Sequence, residues 1–305
     1  MILDDALRDL ATAGRELPRA AMQWSLDHWD EGGPVFVTLL DAYGRGLDRS
    51  ERTGRALFFI VHLLGDKGEA AAFGPLCRLL LDGEASELIL GDGITTTVPR
   101  VLVRTYGGDL AALATVVAAT RADDFARYRA LLAMTYLART GRVPEAEMRA
   151  HLLAWLGDLR PQDEHMVWVA WVLAVAHLGY ADLAQPAEEL IRRGFVFGGM
   201  MDVADFRKDL DRALGDPETV EGFAHDRIGP FGDAIEEIGS WHSFRGEDEP
   251  GFTAPEARQP VTNPVGRSDS VENAFQHAQS VTSPSWHQAS VRQGAVRRQG
   301  NRISE

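Results

Sequence analysis

Leu90-Gly91-Asp92-Gly93-Ile94-Thr95-Thr96-Thr97-Val98-Pro99-Arg100 leads through Val101-Leu102-Val103-Arg104-Thr105-Tyr106 to Gly107-Gly108-Asp109 and an apolar run ending at Val117. It reads as one helix, a glycine turn and a second helix, with a polar cluster at the entrance. Asp109 is placed to cap the second helix, because a short carboxylate there accepts from backbone N–H groups that have no partner inside the helix. Pro99 is tolerated in a first turn and fixes how the threonine-rich segment enters.

The same unit recurs on both sides. Upstream, Leu57, Ile60, Val61 and Leu64 form an amphipathic stripe, Gly65 to Gly68 makes a turn, and Phe73, Leu76, Cys77 and Leu80 repeat the spacing on the way back. Nearer the start, Leu3, Leu7 and Leu10 mark a first helix. Leu17-Pro18 starts a second, carrying Met22, Leu26 and Trp29, and Gly32-Gly33 reads as a turn before a third through Val35, Leu39 and Tyr43. Downstream, Phe125, Leu132 and Tyr136 run to Gly141, and Pro144 opens a helix with Met148, Leu152, Trp155 and Leu156. Another helix runs from near Gln162 to Gly179 and is apolar on all sides from Met166 to Ala176, so it is expected to be buried. Asp182 is expected to cap its partner, on which Glu188–Arg192 and Glu189–Arg193 pair in i,i+4 order. A last helix covers roughly Asp202 to Leu214.

Turns at Gly33, Gly68, Gly108, Gly141 and Gly179 recur every about 33 to 40 residues, the period of stacked helical hairpins. One hairpin cannot bury its apolar face alone, so neighbours must supply a continuous core. The fold class expected is all-α, a HEAT/armadillo-like α-solenoid over residues 1–216. A short helical extension packed on it follows at 217–245, with Ile235 and Ile238 facing inward. Residues 246–305 are rich in Pro, Ser, Gln, Asn and Arg and read as a disordered tail with a basic end at Arg292 to Arg302.

Composition bounds the function. Of 305 residues, 45% are hydrophobic and 25% charged, normal for a globular protein, and the net charge is -14. That acidity disfavours a nucleic-acid partner, since phosphate neutralisation needs clustered Lys and Arg. The one cysteine, Cys77, excludes an internal disulfide and a cysteine-based zinc site. It lies in an apolar stripe, as a buried thiol. No apolar run is long enough for a membrane span, and a cytoplasmic location is expected.

The motif Leu90-Gly91-Asp92, Ile94-Thr95, Pro99-Arg100 and Tyr106-Gly107-Gly108-Asp109 resembles the bacterial DUF1186 family. So do Leu17-Pro18 before Ala20-Ala21, Arg129-Ala130-Leu131 through Gly141, and Asp233 to Glu237 before Trp241. The likeness covers roughly residues 1–245 and implies a HEAT-like helical fold; the family has no assigned activity. Family members often carry an acidic residue just after the Ile-Thr pair, where this chain has Thr96 and Thr97. Many relatives also carry a cysteine-rich SEC-C zinc motif, which this chain lacks.

No catalytic motif is present. Gly91-Asp92-Gly93 lacks the lysine and preceding strand of a phosphate loop. No His-Glu-x-x-His and no Gly-x-Ser-x-Gly occurs. His62 and His177 read as hydrogen-bonded structural histidines. No cofactor or metal is expected. The candidate binding residues are Asp92, Thr95, Arg100 and Asp109. Their bland role is capping and ion pairing, with Asp92 satisfying backbone donors and Arg100 a neighbouring acid. Their functional role would be a polar site on one edge of the stack. The reading that follows is a scaffold that binds another protein; the alternative is an enzyme or small-ligand binder using the Asp92/Thr95 region.

Overall fold

The computed structural model describes residues 1–244, all within one compact unit. Helices α1 (Leu3–Thr12), α2 (Arg19–Asp27), α3 (Trp29–Gly44) and α4 (Glu51–Lys67) come first, followed by α5 (Phe73–Leu80) and α6 (Gly83–Leu90). The quoted motif forms α7 (Gly93–Thr96), α8 (Val98–Thr105) and α9 (Leu110–Ala118). Then come α10 (Asp124–Arg139), α11 (Glu145–Asp158), α12 (Met166–Leu178), α13 (Ala184–Arg192), α14 (Val203–Gly215), α15 (Glu221–His225) and α16 (Ala234–Gly239). There is no strand among the described residues. The expected tail, 246–305, lies outside them.

The helices pack in sequence. α1 lies on α4, α4 on α8, α8 on α10, α10 on α12 and α12 on α14, while α3, α5 and α9 form a second row beside them. The apolar helix α12 is buried from Met166 through His177, between α10 and α14. Its tryptophans illustrate how a core takes a ring with a polar end. Trp168 donates to the Pro161 carbonyl at 2.8 Å and Trp171 to the Leu152 carbonyl at 3.0 Å, and both rings are fully enclosed.

Four of the five expected glycine turns are present. Gly68, Gly108, Gly141 and Gly179 all have positive φ, the left-handed region that glycine enters without penalty. Gly33 is a correction. Gly32 and Gly33 both lie inside α3, and the chain breaks instead at His28. A Cβ on Gly33 would stand 2.8 Å from the Trp29 ring, and one on Gly32 would stand 3.2 Å from the Phe36 ring. These glycines make room for aromatic rings against the helix, so the pair marks packing rather than a turn.

The entrance to the quoted motif differs too. Its first helix is split at Thr97 into α7 and α8, and the preceding α6 has no counterpart in the hairpin pattern. Asp182 does not cap α13. It sits in a short 3-10 turn, and its two carboxylate oxygens accept from one Arg149 guanidinium nitrogen at 2.8 and 2.6 Å. Glu188 pairs with Arg192 as expected, but Arg193 lies over the Phe195 ring, and Glu189 is met by Arg192 instead.

After α14 the chain turns back. Residues 216–244, the return segment, pass over α12 and α10, reach α8, touch α2 through α16 and finish on α4. Phe223 meets Tyr136 of α10 and His177 of α12. Phe231 meets His62 of α4, and α16 packs on α4 and α2. Phe223, Ile228, Phe231, Ala234 and Ile238 are all buried. Ile235, expected to face inward with Ile238, is half-buried against the core.

Gly65 tests this packing. A Cβ there would lie 2.7 Å from Val101 Cγ2 and 3.1 Å from the Phe231 ring, whereas one on Gly157 in α11 meets nothing within 4 Å. Alanine gains up to about 1 kcal/mol of helix propensity at either site, but overpacking a stiff β-branched neighbour costs about 1–3 kcal/mol. Urea denaturation should show G157A raising stability by a few tenths of a kcal/mol to about 1 kcal/mol, and G65A lowering it. A G65A midpoint above that of the parent would contradict the close approach.

Candidate functional site

The four residues singled out in sequence have four different duties. Asp92 is exposed, and its side chain makes no cap bond; its backbone carbonyl instead accepts from the N–H and hydroxyl groups of Thr95 and Thr96. The expected Asp92 cap is therefore absent, because the residue is already helical at φ -57 and ψ -20, outside the usual extended geometry of a cap. Thr95 bonds back to that carbonyl at 3.1 Å. Asp109 caps α9, accepting from the Ala112 N–H at 3.0 Å. Arg100 pairs across the fold with Glu237 of α16 at 2.6 Å and also reaches the Pro230 carbonyl at 3.4 Å.

Arg100 leads to the larger site. Beneath the return segment, α4, α8, α10 and α12 present a row of polar side chains in otherwise apolar surroundings. Arg139 donates to the carbonyls of Thr219 at 3.0 Å, Asp216 at 2.9 Å and Ala213 at 3.3 Å. Arg129 donates to the Asp226 carbonyl at 2.7 Å. Burial lowers the pKa of Arg139 from its ordinary value, yet a guanidinium has so much margin that it stays charged. Irregular backbone laid on a protein surface must have its carbonyls satisfied, and planar guanidinium forks do this several groups at a time.

Two nodes fix the segment. In the first, the Asp226 carboxylate stands between the Tyr128 hydroxyl at 3.4 Å and His177 Nε2 at 3.6 Å. Burial is the main cause, with the Asp226 charge behind it, that pushes the Tyr128 phenol far above its usual range. Gly222 lets the segment come this close, since a Cβ there would fall 2.7 Å from His177 Nδ1. Arg227, next in sequence, has φ 53, an uncommon conformation for a residue with a side chain.

In the second node, His62 is fully buried under Phe58, Phe231 and Trp241. Its Nδ1 lies 2.6 Å from the Phe58 carbonyl, which can only accept, so Nδ1 carries the proton. Nε2 then accepts from the Thr97 hydroxyl at 2.7 Å. A hydroxyl bonded to an imidazole has the form of an activated nucleophile, but here both groups are enclosed and both ring nitrogens are satisfied. The pair is a polar tie between α4 and the α7–α8 break.

Sequence reasoning placed His62 and His177 as structural histidines and did not reach Thr97, Tyr128, Arg139 or Asp226. One signal was available: Arg127, Arg129 and Arg139 interrupt α10, whose other residues from Ala126 to Leu137 are nearly all buried. Charges on a buried helix need partners from elsewhere in the chain. Cys77 is buried, as expected, and its thiol is pushed up to about 12, chiefly by burial. A separate open groove of about 400 Å³ at the α2–α3 corner is lined by Leu26, Asp27, His28, Trp29, Asp30, Glu31 and Lys67 and contains none of the four candidates. Among the described residues no three His, Cys, Asp or Glu side chains are placed to hold a metal, and no helix is long and apolar enough to cross a membrane.

These features define a protein that is helical throughout its described residues and whose residues 216–244 are bonded back onto its own helix row. The model of a family described as "Protein of unknown function (DUF1186)" matches residues 1–245, and the chain belongs to that family. No curated protein and no solved structure matches it.

His62 gives the stability a pH dependence. Burial is the largest influence and lowers its pKa from 6.5 to about 4, against the opposing Phe58 bond and Glu237 charge. The unfolded chain therefore takes up a proton, as pH falls from 6.5 to about 4, that the folded chain refuses. The stability linked to neutral His62 is complete above 6.5 and is lost towards about 4; its size is about 3 kcal/mol. Urea midpoints compared at neutral pH and near the lower limit should fall less for H62Q than for the parent. Equal losses would show that this buried imidazole does not control the acid limb.

Proposed function

We propose that the protein is a HEAT/armadillo-like helical-repeat scaffold that mediates protein–protein interaction through the face now covered by residues 216–244. The sequential packing from α1 to α14 supports the solenoid reading, because each helix pair borrows its core from its neighbours. One observation carries the functional reading. Arg100, Arg129 and Arg139 bond main-chain carbonyls of a largely irregular segment, so this face has the chemistry of a polypeptide-binding surface. Apolar seats for Phe223 and Phe231 lie between those arginines. A buried, high-pKa single cysteine suits a reducing compartment such as the cytoplasm.

An enzyme or small-ligand site at Asp92 and Thr95 has less behind it. Thr95 is bonded within its own turn, Arg100 faces the return segment and Asp109 caps α9. Asp92 remains, and one exposed carboxylate does not make a site.

Photoreactive residues incorporated in the full-length chain test the proposal. The exposed positions Arg104 and Thr140 stand on the helix row, one turn from Arg100 and next to Arg139, while Ala111 and Leu153 are exposed on α9 and α11. In cells expressing the protein, crosslinks to a polypeptide should form from Arg104 and Thr140 and not from Ala111 and Leu153. Crosslinks confined to the second pair would place the interaction elsewhere, and none from any position would remove the scaffold reading.

A further inference from the structure

Among the described residues, three buried side-chain nitrogens have no hydrogen-bond partner: Arg78 Nε, Arg129 Nε and His177 Nε2. Two of the three belong to the node around Asp226. Buried polar atoms without partners are rare in folded proteins, and each calls for a reason. Here the residues are well enclosed, with Arg129 and His177 each 5% exposed. His177 Nε2 faces a carboxylate held too far off, while Arg129 reaches the same residue only at its backbone carbonyl. Asp226 stands 3.6 Å from His177 Nε2 and only at the outer limit, 3.4 Å, from the Tyr128 hydroxyl. The backbone that carries it continues into the positive φ of Arg227. Asp226 supplies the right charge at an imperfect distance.

We infer that the Tyr128–Arg129–His177 node is a carboxylate-reading subsite for a partner polypeptide, and that Asp226 is its resident stand-in. The inference rests on the proposed polypeptide-binding role of this face and names the partner's chemistry. The His177 imidazole and the Tyr128 phenol converge on one carboxylate, whose lone pairs can take both, while Arg129 holds the backbone that carries it. The neighbouring seats add a pattern. Phe223 lies three residues before Asp226 and packs on Tyr136 and His177, and Phe231 lies five residues after it and packs on His62. A second carboxylate, Glu237, meets Arg100 further on. The partner segment therefore carries an acidic residue flanked by aromatic anchors, with a further acid towards its C-terminal end. Binding it requires the return segment to leave the same seats, so the protein's own chain is the competitor.

The experiment uses full-length protein and a fluorescein-labelled synthetic peptide with the sequence of residues 216–244, read by anisotropy. A chain bearing D226N loosens the resident segment at the node. The labelled peptide should bind that chain roughly ten-fold more tightly than the same peptide carrying D226N does, the scale of one charged hydrogen-bonding interaction. The parent chain, with its competitor in place, should bind the unaltered peptide more weakly than the D226N chain does. H177A in the D226N background should erase the difference between the peptides. If circular dichroism shows that the D226N chain does not fold, an E237Q chain, loosened at the other end of the segment, serves for the same peptide comparison.

Equal affinity for the two peptides would remove the carboxylate subsite and leave the face as a general polypeptide surface. Failure of both peptides to bind any folded chain would overturn the exchange, while crosslinks from Arg104 and Thr140 would still uphold the scaffold reading. Discrimination between the peptides without such crosslinks would uphold the subsite and remove the cellular partner.

Discussion

Arginines of α8 and α10, bonded to carbonyls of a largely non-helical segment, hold residues 216–244 against the helix row. A helix satisfies its own backbone; residues 216–244, with only the short α15 and α16, cannot. Laid on an apolar surface without partners, each carbonyl would lose water and gain nothing, at about 1–3 kcal/mol apiece. Arg139 takes two of them, Arg129 a third and Arg100 a fourth. The same economy appears inside the helix row, where Arg142 takes the terminal carbonyls of Val103 and Tyr106 at the end of α8. Arg127, almost fully enclosed, donates to Val117 and Arg160 carbonyls at two helix junctions. Guanidinium groups do the work here that loops leave undone.

The aromatic seats then determine register. Trp241 and Phe231 close over His62, and Phe223 closes over His177. These contacts are apolar and tolerant of small shifts. The polar nodes are less tolerant, because an imidazole or phenol that loses its partner in a low-dielectric site is costly. The His62–Thr97 tie is fully satisfied and couples α4 to the α7–α8 break. The Asp226 node is not. One end of the covered face is thus built as permanent structure, and the other retains unused donors.

Local chemistry was legible in the sequence, and tertiary pairing was not. Gly68, Gly108, Gly141 and Gly179 announced turns because glycine alone enters positive φ cheaply, and that constraint is local. Asp109 announced its cap for the same reason. Gly33 misled because glycine serves a second purpose, admitting a ring against a helix, and the sequence does not distinguish the two. Asp182 misled because Arg149, 33 residues away, offered a better partner than the helix end did. Arg100 was marked as a residue that pairs with an acid, but its partner lies 137 residues on, in a segment with no period to reveal its position. The candidate site was visible as a set of residue types in the wrong grouping: Asp92, Thr95 and Asp109 belong to local turns, and only Arg100 belongs to the covered face.

The path of the return segment has a consequence for synthesis on the ribosome. Helix α4 presents Phe58 and His62 to residues that leave the tunnel some 180 positions later. Until then an aromatic surface and an enclosed imidazole site have no cover, although the helix row beneath them can already assemble from neighbouring contacts. The nascent chain therefore passes through a stage with an open apolar face. Closing it is a single long-range loop closure whose entropic cost grows only slowly with length. Delay rather than instability is the hazard of this design, and it falls at the time when chaperones meet the chain.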